Sequence, residues 1–133
     1  ARYQGARIFT NSWGALYTSF INGTYIDHSQ SIDKFIWDNK DSVILFAAGN
    51  DGMSGKGTVT PQASAKNAIS VGGSESYKIN ISDNPVATDD INDIYSGTSK
   101  GPTADGRVKP DVVAPATEMF STRSSTALPH ACG

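Results

Sequence analysis

Apolar residues fall along the chain in short runs separated by longer polar stretches, and the period of each run predicts its element. Residues 6–11, ARIFTN, mix β-formers and read as a short strand ending at Ser12-Trp13-Gly14. Residues 15–26 are polar and aromatic with a glycine, which is a loop composition. In DHSQSIDKFIWDNK, Ile32, Phe35 and Ile36 recur at i, i+3 and i+4, so a helix over about 28–39 has one apolar face. Asp27 with Gln30 three positions later has the form of a capping box. SVILFAAG, Ser42 to Gly49, is a continuous apolar run, the form of a parallel strand buried on both faces. Strand, helix and strand at this spacing make a βαβ unit.

AISVGGSES, residues 68–76, is a further strand candidate. Residues 77–98 are rich in Asn, Asp and Ser and read as an excursion or a weak strand. GPTADGRVKPDVVAPAT carries turn signals at Gly101-Pro102, Asp105-Gly106 and Lys109-Pro110, followed by a short apolar run from Val112 to Ala114. TEMFST is a last strand candidate, and TALPHACG has the form of a helix start with Pro129 in its first turn. There are no repeats and no low-complexity tract, so residues 1–133 read as one α/β domain.

Composition narrows the classes. With 133 residues, 38% hydrophobic and 18% charged, the chain is globular rather than disordered. The net charge is −2 and the 11 Lys and Arg are scattered, which argues against nucleic acid as a partner. No apolar run approaches the roughly 18 residues of a membrane span, and ARYQGARIFT has no signal-peptide core. The first residue is Ala, which reads as a processed or excised piece. Cys132 is the sole cysteine, so no internal disulfide forms. The sequons Asn22-Gly23-Thr24 and Asn80-Ile81-Ser82 read as chance.

The candidate chemistry centres on FAAGNDGMSGKGT, where an apolar run stops at Gly49-Asn50 and a glycine-rich loop follows. A phosphate loop fails there. Gly55-Lys56 would require Gly at position 50 and Ser or Thr at position 57, which are Asn50 and Gly57. The dinucleotide fingerprint fails too, with Asp51 in place of a glycine and no helix pattern behind it. Two readings remain for the loop alone. Asn-Asp-Gly is a common turn sequence, and that reading is favoured in isolation. An Asn side-chain amide fixed at a strand end can instead stabilise an oxyanion in acyl transfer, because it is a neutral donor that needs no deprotonation.

Five segments shift that balance: TNSWGA (10–15), ILFAAGNDG (44–52), PQASAKNAISVGG (61–73), SKGPTADGRVKPDVVAP (99–115) and ALPHACG (127–133). In this order they resemble the subtilisin-like serine peptidases, the subtilase family, over nearly the whole chain. In detail they look closest to its large alkaline, oxidatively stable branch. The resemblance implies a three-layer α/β/α fold on a parallel sheet, incomplete on its N-terminal side, and hydrolysis of peptide bonds through an acyl-enzyme. It implies that Asn50 is the oxyanion donor. It places Ser12, Trp13 and Gly14 on the segment that binds substrate backbone as an added strand. It places Ala47, Ala48 and Gly49 in one wall of the pocket for the residue before the scissile bond. Trp13 also has a plain reading as a core aromatic.

The nucleophile has two registrations against the family. Counting back from Pro129-His130 puts Ser125 at the catalytic serine, with Arg123-Ser124 where the family has Gly-Thr. Arg is poorly suited to a tight strand-to-helix turn. Alternatively FSTRSS matches an earlier strand end, and the segment with the true serine is missing between Ser125 and Thr126. The family's D-[ST]-G and H-G-T-H segments, which carry the catalytic Asp and His, are absent from the 133 residues. His28 reads as a surface histidine and His130 matches a structural one. Without a base a serine hydroxyl is a weak nucleophile, so the isolated chain is expected to be inactive. The runner-up function is a non-catalytic module that binds extended peptide along Ser12–Gly14.

Smaller departures are Ala116 where the family has Gly, and Gly97 where it has an aromatic residue, which suggest relaxed constraint. Calcium is a family cofactor; Asp89, Asp90 and Asp93 are the candidate ligands, with a solvated acidic loop as the better reading. The resemblance also implies secretion. The partners it implies are a peptide or protein substrate and the missing N-terminal part of the catalytic domain.

Overall fold

The structure is a computed structural model that describes residues 1–15, 23–76 and 90–117. Four strands form one sheet in the order β1-β2-β3-β4, all parallel: β1 Ile8–Asn11, β2 Val43–Ala47, β3 Ile69–Ser74 and β4 Val112–Pro115. The helix α1, Asp27–Asp38, connects β1 to β2. The βαβ unit, the helix and the strand in residues 68–76 stand as the sequence pattern expects, and the Val112–Ala114 run is the core of β4. TEMFST, TALPHACG and most of the 77–98 excursion lie outside the described residues. Its described end, residues 90–98, is mostly turns, with one bridge between Ile94 and Ser74.

Register explains the core. Phe9 pairs with Ile44, and Asn11 with Phe46, so these side chains share one face. α1 covers that face. Phe35 meets Phe9 edge-on at 6.4 Å, and Ile32 and Ile36 pack beside Ile44 on a core of Phe46, Val59, Ala63, Ala65 and Ala68. The loop from Thr58 to Ala68 therefore contributes as much core as the strands do. Asp33, buried on α1, clamps that loop. It accepts from Asn67 N–H at 2.7 Å, Lys66 N–H at 3.1 Å and the Tyr25 hydroxyl at 2.8 Å.

Two expectations need correction. Asp27 does not cap α1: the cap is Ile26, whose N–H donates to Ser29 Oγ at 3.2 Å. Ser29 Oγ also donates to Pro61 O at 2.6 Å, so tertiary contact decides where the helix starts. Nor is β2 buried on both faces, since Val43 is 42% exposed. The face opposite α1 carries Ile8, Val43, Ile69 and Val112, all open to solvent. Among the described residues no helix lies on it. No helix among them is long and apolar enough to cross a membrane.

Candidate active site

The C-terminal ends of β1 and β2 lie side by side, and a cleft of about 360 Å³ opens between the segments that follow them. One wall is Ser12, Trp13, Gly14 and Ala15; the other is Ala47, Gly49, Asn50 and Asp51, with Thr60 between. Ligands of parallel sheets bind at this end of the strands.

The first wall leaves β1 because Asn11 turns it. Asn11 Nδ2 donates to Leu45 O at 3.1 Å and its Oδ1 accepts from Trp13 Nε1 at 3.2 Å. Trp13 packs edge-on against Phe46 at 5.2 Å yet stays 60% exposed, so it is a cleft side chain resting on the core. Trp13 and Gly14 make no backbone hydrogen bond among the described residues, so their backbone groups stay open to an added strand. Gly14 sits close to Thr60: a Cβ there would lie 3.0 Å from Thr60 Cγ2, a tight contact that would push the Thr60 side chain aside.

The second wall is a turn held rigidly around a free side chain. Gly49 has φ +122°, a conformation that favours glycine. Ser99 grips the turn on both sides of Asn50, its N–H donating to Gly49 O and its Oγ accepting from Asp51 N–H, both at 3.0 Å. Asn50 itself is exposed, and its amide makes no hydrogen bond among the described residues. A fixed backbone under an unpaired amide is the arrangement an oxyanion donor needs. After it comes a three-residue 3₁₀ turn, Gly52–Ser54, with no helix N-terminus to hold a phosphate.

Ala48 is the exception among the expected wall residues. It is buried, its N–H bonds Val71 O at 2.8 Å and its carbonyl accepts from Thr60 N–H at 2.9 Å, so it faces away from the cleft. Thr60, Ser99 and Asp51 were missed. The SKGPT segment holds Ser99, but nothing local in it signals a clamp on a turn some fifty positions earlier. Ser125, His130 and Cys132 lie outside the described residues. Among those described, no three metal-binding side chains gather. Asp90 Oδ1 accepts from Asn92 N–H and Asp93 Oδ1 from Ile94 N–H, both local turn contacts, and Asp89 is outside the described residues.

The two departures from the family pattern have local counterparts. A Cβ at Gly97 would lie 2.7 Å from the Tyr95 ring, so Tyr95 fills the space beside it. A Cβ at Gly73 would lie 2.8 Å from the Ala116 methyl, which occupies the space over that glycine.

Comparison with known proteins gives the family: the chain belongs to the subtilase family, whose Peptidase_S8 model matches residues 1–132. It is similar to the serine protease/ABC transporter B family protein tagD of Dictyostelium discoideum, 29% identical over 186 residues, covering 92% of this chain and 10% of the relative. The tagB protein of the same organism is also 29% identical, over 180 residues, covering 91% and 9%. Serine protease AprX of Bacillus subtilis (strain 168) is 37% identical over 82 residues, covering 62% and 17%. The chain thus spans a tenth to a sixth of these relatives. The tagD match, 186 residues long, exceeds the whole 133-residue chain, so that relative carries residues inside the matched region that this chain lacks.

Proposed function

We propose that the chain is the part of a subtilase catalytic domain that carries the oxyanion donor and the substrate-binding edge. The carrying observation is the unpaired Asn50 amide, on a turn clamped by Ser99, facing the open backbone of Trp13 and Gly14 across one cleft. An extended peptide pairs with Trp13 and Gly14 as an added strand, and the side chain before the scissile bond lies against Ala47 and Gly49. A serine attacks the carbonyl, and its oxygen, now negative, accepts from Asn50. Collapse releases the amine and leaves an acyl-enzyme, which water hydrolyses.

The serine is Ser125 or a residue of a segment that this chain lacks. The Asp and His come from residues outside the 133. Peptide or protein substrates, a supporting calcium and export from the cell belong to the same proposal. In the longer protein, Asn50→Ala should lower kcat by roughly 10²–10³ with KM little changed, a magnitude carried over from the same substitution site in a subtilisin. Unchanged kcat would remove Asn50 from the chemistry.

The absence of D-[ST]-G and H-G-T-H favours a second reading, a non-catalytic module that binds extended peptide on Ser12–Gly14. Peptide binding with no turnover by the longer protein would establish it.

A further inference from the structure

A second cleft lies on the other side of Ser99, and peptide hydrolysis leaves it without a use. It encloses about 540 Å³, within the range of small-molecule sites. Its walls are largely apolar, with Ile94, Val108 and Val113 beside Pro102 and Pro110. Val108 is 85% exposed, a large apolar side chain left facing solvent.

Three lysines line this cleft; Lys109 is committed to Ala68 O and Asp111, which leaves Lys56 and Lys100. Lys56 and Lys100 are partners in a parallel bridge, so their side chains project to the same side. Neither ammonium has a hydrogen bond or ion pair among the described residues. Like charges placed opposite each other are destabilising, and no carboxylate lines the cleft to offset them. An anion placed between them would relieve that repulsion.

The backbone beside the two lysines is already paired. Thr58 and Gly57 N–H donate to Lys100 O and Gly101 O, Gly101 N–H donates to Lys109 O, and Lys100 N–H donates to Thr58 Oγ1. Pro102 and Pro110 have no N–H to give. The segments that carry the two lysines therefore offer a ligand apolar contact and two point charges rather than free backbone. We propose that it binds a medium-chain alkyl carboxylate, with the hydrocarbon on Ile94, Val108 and Val113 and the carboxylate between Lys56 and Lys100. The proposal stands apart from the peptidase reading. The two sites touch through Ser99, which lines this cleft and holds the Asn50 turn.

The test is calorimetric titration of the full protein with octanoate, decanoate and decanol, each below its aggregation concentration. Decanoate should bind once per chain and roughly fifteenfold tighter than octanoate, from two methylenes at about 0.8 kcal/mol each. Decanol should bind at least about tenfold more weakly, since it cannot use the ammonium pair. The Lys56→Met/Lys100→Met double variant should lose about tenfold for decanoate with a melting temperature no lower than that of the parent. Val108→Asp, at an open position where folding is not at stake, should weaken binding as well. Equal binding of decanol, or full binding by either variant, would overturn the proposal. So would binding to phosphatidylglycerol vesicles with none to monomeric decanoate, which would make the lysine pair a membrane-facing patch.

Discussion

Gly49 is where the cleft is least tolerant of change. At φ +122° a side chain is strained, and its Cβ would lie 2.6 Å from Ser99 Oγ and 2.9 Å from Thr60 Cγ2. Gly49→Ala should therefore destabilise by about 1–3 kcal/mol and displace Asn50. A denaturant titration checks this, and an unchanged midpoint would refute it. Gly55, also at positive φ, has nothing within 4 Å of its Cβ position, so Gly55→Ala tests strain without the clash. At this scale the sequence revealed residue types but not contacts. Asn50 stood out because it ends an apolar run, but the run alone favoured a plain turn, and the oxyanion role came from the family resemblance. Ala48 was misplaced because three small residues in a row do not show which one turns inward. Thr60 and Ser99 act across long separations that no local pattern reports.

At the scale of elements, α1 was legible from its periodicity and β2 from its continuous apolar run, and β3 lies within the strand candidate at residues 68–76. The helix cap was not, because Ser29 is fixed by Pro61 and Ser64 rather than by its neighbours. The burial of β2 was overstated because one face of the sheet has no cover among the described residues. The junction of β3 and β4 depends on Asp111, whose Oδ2 accepts from Lys109 Nζ at 2.6 Å, Ser70 N–H at 2.7 Å and Ser70 Oγ at 2.8 Å. Burial raises the Asp111 pKa, but these donors together outweigh it and hold the carboxyl below its usual range. Arg107 and Thr103 likewise bring exposed Asp105 down to about 2.

A carboxyl with a depressed folded pKa adds stability above its unfolded value, near 3.9, and that stability is lost as pH falls through the folded value. Stability should therefore hold near neutral pH and fall between about pH 4 and 2. Asp111→Asn should cost about 1–2 kcal/mol at pH 7, because it leaves the nearly buried Lys109 ammonium without its counter-charge while Asp111 is itself partly solvated. The same variant should cost much less at pH 2. Unfolding curves at both values decide it, and an equal loss at both would contradict the electrostatic account.

At the largest scale, the sheet is parallel and, among the described residues, covered on one face, whereas parallel sheets are ordinarily covered on both. Ile8, Val43, Ile69 and Val112 form an apolar surface opposite α1, and β1 is paired on one side only among the described residues. These are the places where the proposed further part of the catalytic domain would pack, bringing Asp and His toward Asn50. The α/β class and the subtilase relationship were legible from five ordered segments. The uncovered face was not, because a strand looks the same in sequence whether or not its cover is present.

The most direct test of this division of labour is labelling by a fluorophosphonate probe, read by intact mass and peptide mapping. It compares the 133-residue chain with the longer protein that contains it. The account predicts no label on the short chain and one serine labelled per molecule of the long one. Stoichiometric labelling of Ser125 in the short chain would contradict it, since these residues would then hold a complete catalytic site.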